Sequence, residues 1–125
     1  MKFLVVDDSI TMRRIIINAL QRIGYNDVVE ATDGTEALER LDQSIGFIIT
    51  DWNMPNMSGV EFARAVRGTL VASSLPILMV TTRAAREDII AAMDAGVNNY
   101  IIKPFTPSVL KEKIERLMSA ARIAA

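Results

Sequence analysis

Apolar residues along this chain fall into short unbroken runs separated by longer stretches with helical spacing. Phe3-Leu4-Val5-Val6, Phe47-Ile48-Ile49, Ile77-Leu78-Met79-Val80 and Tyr100-Ile101-Ile102 are the runs. Their length and lack of polar alternation fit strands buried on both faces. A further short strand is expected over Asp27–Ala31, and the Phe47 strand is expected to reach Asp51. After the first strand Ser9 stands as an N-cap, Met12, Ile16, Leu20 and Ile23 recur on one helical stripe, and Gly24 ends it. Asp33 with Glu36, and Ser58 with Glu61, have capping-box spacing and open two more helices. The first of these runs to about Leu41, and the second turns Val60, Ala63 and Val66 inward. Another helix is expected from about Ala85 to Ala95, stopped by Gly96. Thr106-Pro107 supplies an N-cap and an N1 proline for the last, which carries Leu110, Ile114 and Leu117 inward. The alanine-rich tail after Met118 reads as helix end and fraying.

Five strands alternating with five helices imply an α/β fold, a single doubly wound parallel sheet covered on both faces. Ligands in such sheets bind outside the carboxyl ends of the strands. Asp7, Asp8, Asp51, Thr81 and Lys103 are all expected at those ends.

Composition narrows the chemistry. The 125 residues suit one domain, residues 1–125, with half of them hydrophobic and 23% charged. There is no cysteine and no histidine, which excludes disulfides, thiol catalysis, a Ser-His-Asp triad and the usual zinc ligands. The net charge of −1 argues against nucleic acid as the main partner. No stretch has the length and apolarity of a membrane span or a signal peptide, so a cytoplasmic protein without membrane insertion is expected. Charge is uneven: residues 83–125 hold 7 basic and 5 acidic residues, against 7 and 10 in residues 1–82.

Three carboxylates in one crevice repel, by roughly 3 kcal/mol for a pair ~5 Å apart at an effective dielectric of about 20. A hard divalent cation with oxygen ligands offsets this, and Mg²⁺ uses one or two carboxylates together with waters and phosphate. Asp7 and Asp8 fit the ligand role, while Asp51 can both ligate and attack phosphorus. Lys103 offers a point charge and Thr81 a hydroxyl to a phosphoryl oxygen. Each has a plainer reading: Asp7-Asp8 as helix capping, Asp51 as a loop start, Thr81 as a β-former, Lys103 as a solvated charge. Their joint placement at the ends of separate strands favours the chemical one.

The motifs Val6-Asp7-Asp8-Ser9, Asp51-Trp52-Asn53-Met54-Pro55, Met79-Val80-Thr81 and Tyr100-Ile101-Ile102-Lys103-Pro104-Phe105 together resemble the receiver domain of bacterial two-component response regulators. The resemblance covers essentially the whole chain and is nearest to the single-domain chemotaxis regulators. It implies a flavodoxin-like fold with strand order 2-1-3-4-5. It implies that Asp51 accepts a phosphoryl group from a histidine kinase. It implies that Asp7 or Asp8, Asp51 and the Asn53 backbone carbonyl hold Mg²⁺, that Thr81 and Lys103 engage the phosphoryl group, and that Lys103–Pro104 is cis. Tyr100 matches the switch aromatic, which turns inward as the Thr81 loop moves. The output surface would be formed by the fourth helix, fifth strand and fifth helix, with Arg86, Ile90, Tyr100, Lys111 and Lys113 on it. A monomer that binds a protein target such as the flagellar motor switch is expected, rather than an enzyme.

One departure concerns Arg83, two after Thr81, where chemotaxis members carry an acidic or small residue. It is expected to meet the phosphoryl group or Asn53 and to alter the lifetime of the phosphorylated state. Ala85 stands where relatives often place a lysine. A receiver fragment of a larger transcriptional or enzymatic regulator is the alternative. A haloacid-dehalogenase-type phosphatase would want Asp-x-Asp in place of Asp7-Asp8, and a flavin or nucleotide binder would want a phosphate-cradling glycine loop that is absent.

Overall fold

The structure is a computed structural model that describes residues 1–124, with side chains through residue 120. The elements run β1 (Lys2–Val6), α1 (Ile10–Arg22), β2 (Val28–Ala31), α2 (Gly34–Arg40), β3 (Ile45–Thr50), α3 (Gly59–Arg67), β4 (Ile77–Thr81), α4 (Arg86–Asp94), β5 (Asn99–Ile102) and α5 (Pro107–Ala124). The five strands form one parallel sheet in the order β2-β1-β3-β4-β5. The tail after Met118, expected as helix end and fraying, continues as α5 to Ala124; residue 125 and the side chains after residue 120 lie outside the described residues.

Alternation along each strand divides the core in two. Phe3, Val5, Phe47, Ile49, Leu78 and Val80 pack with Ile16 and Leu20 of α1 and Leu110 and Ile114 of α5. Leu4, Val6, Ile48, Ile77 and Met79 point the other way, onto Phe62, Ala63 and Val66 of α3 and Ala92 of α4. Both faces are therefore dry, which explains why the strands read as continuous apolar runs.

The helix starts follow from local chemistry. The Ser9 side chain accepts from the Met12 N–H, and Ser58 with Glu61 makes both bonds of a capping box. At α2 only half of the expected box forms. Asp33 accepts from the Glu36 N–H, but the Glu36 carboxylate is taken by the Thr32 hydroxyl and Arg40 instead of turning back to the cap. No side chain caps α4; Glu87 and Asp88 in its first turn complement the helix dipole. Gly24 and Gly96 end helices at φ 101° and 108°, a left-handed conformation that glycine adopts without steric cost.

The end of the sheet away from the strand carboxyl termini is tied by one side chain. Arg67 donates to the carbonyls of Ser73, Leu75 and Gly96 and to Asn98 Oδ1, joining α3, the loop before β4 and the turn before β5. Among the described residues no helix is long and apolar enough to cross a membrane.

Candidate functional site

Register brings the polar strand ends together. Val6 pairs with Thr50 and Thr81 with Ile102, so β1, β3, β4 and β5 deliver their next residues to one edge. The ladder continues one step beyond the strands: the Asp7 N–H donates to Ala31 O, Asp51 N–H to Val6 O, and Lys103 N–H to Thr81 O. Asp51 thus follows its strand instead of ending it, a one-residue shift from the expected bound, and Lys103 follows β5 directly. Lys103–Pro104 is cis.

Lys103 Nζ lies 2.7 Å from Asp51 Oδ2 and 3.1 Å from Asp7 Oδ2, all three side chains being largely buried. The remaining Asp51 oxygen, Oδ1, accepts the Trp52 N–H at 2.5 Å, and Asp7 Oδ1 accepts the Ser9 N–H at 2.9 Å. Asp8 is exposed, and Asp7, Asp8 and Asp51 each bring a carboxylate oxygen within 4.8 Å of the others. Asp7 and Asp51 share one ammonium, with exposed Asp8 beside them, so the site carries an excess of negative charge. Burial pushes the Asp7 carboxyl up; the Ser9 N–H and Lys103 pull it back without cancelling the effect, and Asp51 adds to it. For Lys103, burial alone would lower the ammonium, but the hydrogen bond and charge of Asp51, then Asp7, outweigh it and leave it raised. An oxygen-lined crevice with unbalanced negative charge suits a hard divalent cation.

Thr81 is fully buried at the end of β4, its hydroxyl 3.4 Å from the Arg83 N–H. Tyr100 is also buried, and its hydroxyl donates to the Arg83 carbonyl at 2.9 Å. The ring is therefore turned inward, against the loop that follows Thr81. Arg83 is fastened at several points. Its Nε and Nη2 donate to Asn53 Oδ1 at 3.1 and 2.9 Å, its guanidinium stacks 4.5 Å from the Trp52 ring centroid, and Nη1 reaches Asp88 at 3.5 Å. The expected contact with Asn53 is present, and Arg83 and Asn53 line an open hollow together with Asp8, Trp52 and Ser58.

Two supporting contacts were not evident from the motifs. Arg13 donates to the Asp7 carbonyl at 2.6 Å while its Nε pairs with Glu30, pinning the β1–α1 turn to β2. Gly59 brings the start of α3 against the loop that follows Asp51: a Cβ there would lie 1.9 Å from the Asp51 carbonyl oxygen, and the Gly59 N–H donates to Trp52 O. The spacing of Ser58 and Glu61 predicts the cap, whereas the close approach at Gly59 has no signature in spacing alone. Met54 and Met57, in the same loop, pack against the core.

Away from this edge, α4, β5 and α5 flank a groove lined by Ile89, Tyr100, Pro104, Phe105, Val109 and Lys113. Ile90 and Ile102, each nearly half exposed, lie on the same elements.

Comparison with known proteins gives one consistent result. The model for the response regulator receiver domain matches residues 3–115. The chain is 56% identical over 117 residues to chemotaxis protein CheY1 of Helicobacter pylori, covering 92% of this chain and 94% of that one. It is 53% identical over 120 residues to a CheY homolog of Campylobacter jejuni, covering 94% and 92%. The structure of the chemotaxis response regulator CheY4 of Vibrio cholerae superposes with a TM-score of 0.84 at 40% identity, over 93% of this chain and 97% of that one. A CheY-like receiver domain protein of Methanospirillum hungatei reaches a TM-score of 0.89 at 26% identity, over 99% and 98%. With its sheet order, its carboxylate cluster and these matches in agreement, the chain belongs to the response regulator receiver domain family.

Proposed function

We propose that residues 1–125 form a single receiver domain acting as a phosphorylation-driven switch in chemotaxis, with Asp51 as the phosphoacceptor. The observation that carries this reading is the triangle of Asp51, Asp7 and Lys103, in which a partly buried carboxylate is held by one ammonium beside two more carboxylates. An Asp51 oxygen attacks the phosphorus of a phosphohistidine on a histidine kinase; the new O–P bond forms as the P–N bond breaks and the imidazole leaves. Asp7, Asp8, Asp51 and the Asn53 backbone carbonyl would hold Mg²⁺, which when bound supplies counter-charge to the carboxylates and the phosphoryl oxygens. Lys103 gives up its bond to Asp51 and takes a phosphoryl oxygen, and the Thr81 hydroxyl donates to another. No histidine is needed, because phosphoryl transfer demands charge stabilisation more than proton transfer.

The readout is a protein surface. Tyr100 lies between the Thr81 loop and the groove of α4, β5 and α5, so movement of that loop changes what the groove presents. A protein target such as the flagellar motor switch is inferred from the relatives named for chemotaxis. A cytoplasmic location and a monomeric state go with this reading.

Trp52, the only tryptophan, lies next to the acceptor and reports on it. Mg²⁺ should change its fluorescence, and beryllofluoride, a phosphoryl mimic, should change it further only when Mg²⁺ is present. Asp51→Asn should lose the beryllofluoride response; a response retained in that variant would contradict the assignment.

Arg83 bridges Asn53, Trp52 and Asp88 at the hollow beside Asp8, a position from which it restricts the approach of water to a phosphoryl group on Asp51. Arg83→Glu removes the bridge and sets a carboxylate beside Asp88. Autodephosphorylation should accelerate about three- to tenfold, the rate equivalent of the roughly 0.5–1.5 kcal/mol that one hydrogen bond contributes. Equal rates in variant and parent would remove Arg83 from control of the lifetime.

A further inference from the structure

The acceptor loop, residues 52–58, is tied at two places. At its base the Gly59 N–H donates to Trp52 O at 2.8 Å, beside Asp51. At its far side it is tied to the start of α2, an element that contributes nothing to the carboxylate cluster. Asn56 Nδ2 donates to Asp33 Oδ2 at 2.7 Å, and the Gly34 N–H donates to the Met57 carbonyl at 3.2 Å. The fit is close, since a Cβ on Gly34 would lie 2.7 Å from Met57 Cγ. Asp33 is buried, and its other oxygen is committed to the Glu36 N–H at 2.8 Å, so the carboxylate cannot swing away from Asn56 without uncapping α2.

Between these ties the backbone is strained. Asn56 has φ 64°, the only non-glycine residue at positive φ among those described, and the Met57 N–H donates across it to Pro55 O at 2.7 Å. A three-residue turn of that hand is rare and persists where surrounding contacts over-determine it. Asn and Asp tolerate this conformation better than other side chains do, and glycine adopts it freely.

We propose that Asp33 is a positioning residue for the metal site: through Asn56 it holds the strained turn that sets the Asn53 carbonyl in place. The inference rests on the receiver reading, in which that carbonyl is a ligand three residues before Asn56. It assigns to the cap of α2 a role in metal affinity beyond starting a helix.

Asn56→Gly tests it, because glycine keeps the backbone conformation and removes only the side-chain tie. Mg²⁺ titration followed by Trp52 fluorescence and by calorimetry should show the dissociation constant raised about tenfold, the low end of the range for lost support of a ligand, because the support acts through the loop backbone. The exchange Asp33→Asn with Asn56→Asp restores a carboxylate–amide bond, keeps an acceptor for the Glu36 N–H and leaves net charge unchanged. It should bring affinity back to within about twofold of the parent. A parent that binds Mg²⁺, with Asn56→Gly binding equally well while melting at lower temperature, would reduce the tie to a structural one and overturn the inference alone. An exchange variant as weak as Asn56→Gly would overturn it too. A parent that takes up no Mg²⁺ would overturn the metal reading first, and this inference with it.

Discussion

Lys103→Met should lower the unfolding free energy of the metal-free protein by about 3–5 kcal/mol, the usual loss when one partner of a buried ion pair is removed. Methionine matches the length of the lysine stem, so packing changes little while the charge disappears. At an effective dielectric of about 20 the 2.7 and 3.1 Å contacts correspond to roughly 6 and 5 kcal/mol of attraction, before the desolvation gained back by deleting the ammonium. The raised ammonium also sets a pH signature. Lys103 contributes stability that is fully present below the ordinary lysine range and is lost as pH rises through its raised folded value. The variant should lack that alkaline loss. Saturating Mg²⁺ should restore part of its stability, because binding to the folded state alone stabilises it. Urea unfolding with and without the ion checks each point; a variant as stable as the parent would mean that the ammonium does not hold the cluster.

Asp7→Asn should act in the opposite sense on stability and weaken the response to the metal. Repulsion from Asp51 and from Asp8, whose oxygens lie within 4.8 Å, amounts to roughly 3 kcal/mol each at that outer distance, reduced by solvent for exposed Asp8, against roughly 5 kcal/mol of attraction to Lys103. These nearly cancel, so the desolvation of a buried carboxylate decides the sign. Removing the charge should stabilise the metal-free protein by about 1 kcal/mol at neutral pH. Asp7 has a raised folded value, so the folded state holds the proton more tightly than the unfolded chain. The penalty from its charge is therefore absent at low pH and grows as pH rises through that value, a loss of stability that Asp7→Asn should not show. Mg²⁺ affinity should fall by more than about tenfold, since a ligand and not its support is lost. Mg²⁺ binding at parental strength would take Asp7 out of the metal site.

How much of this was legible in the sequence varied with the length scale of the interaction. The strands were readable because a sheet buried on both faces leaves uninterrupted apolar runs, and the caps Ser9 and Ser58 because their partners lie three residues on. Asp7, Asp51, Thr81 and Lys103 could be grouped because parallel strands deliver their carboxyl ends to one edge. The Asp33–Glu36 pair shows the limit of such reading: its spacing allows a full capping box, but nearby Thr32 and Arg40 compete for the Glu36 carboxylate. The long-range ties were not legible. Arg13 to Glu30, Asn56 to Asp33 and Gly59 against the Asp51 carbonyl depend on how elements far apart in sequence come together. Arg83 lies between these cases. It stood out as a departure from the family pattern, with Asn53 as one of two expected partners; its stacking on Trp52, its pairing with Asp88 and the Tyr100 bond to its carbonyl emerged only from the fold.

The claim on which the rest depends is that Asp51 takes up a phosphoryl group with the help of Mg²⁺. Incubation with acetyl phosphate, followed by intact-mass analysis and fragmentation, measures it without a kinase. The account predicts a gain of one phosphoryl group on Asp51, dependent on Mg²⁺ and absent in Asp51→Asn. No gain in the parent, or a gain that survives in Asp51→Asn, would contradict it.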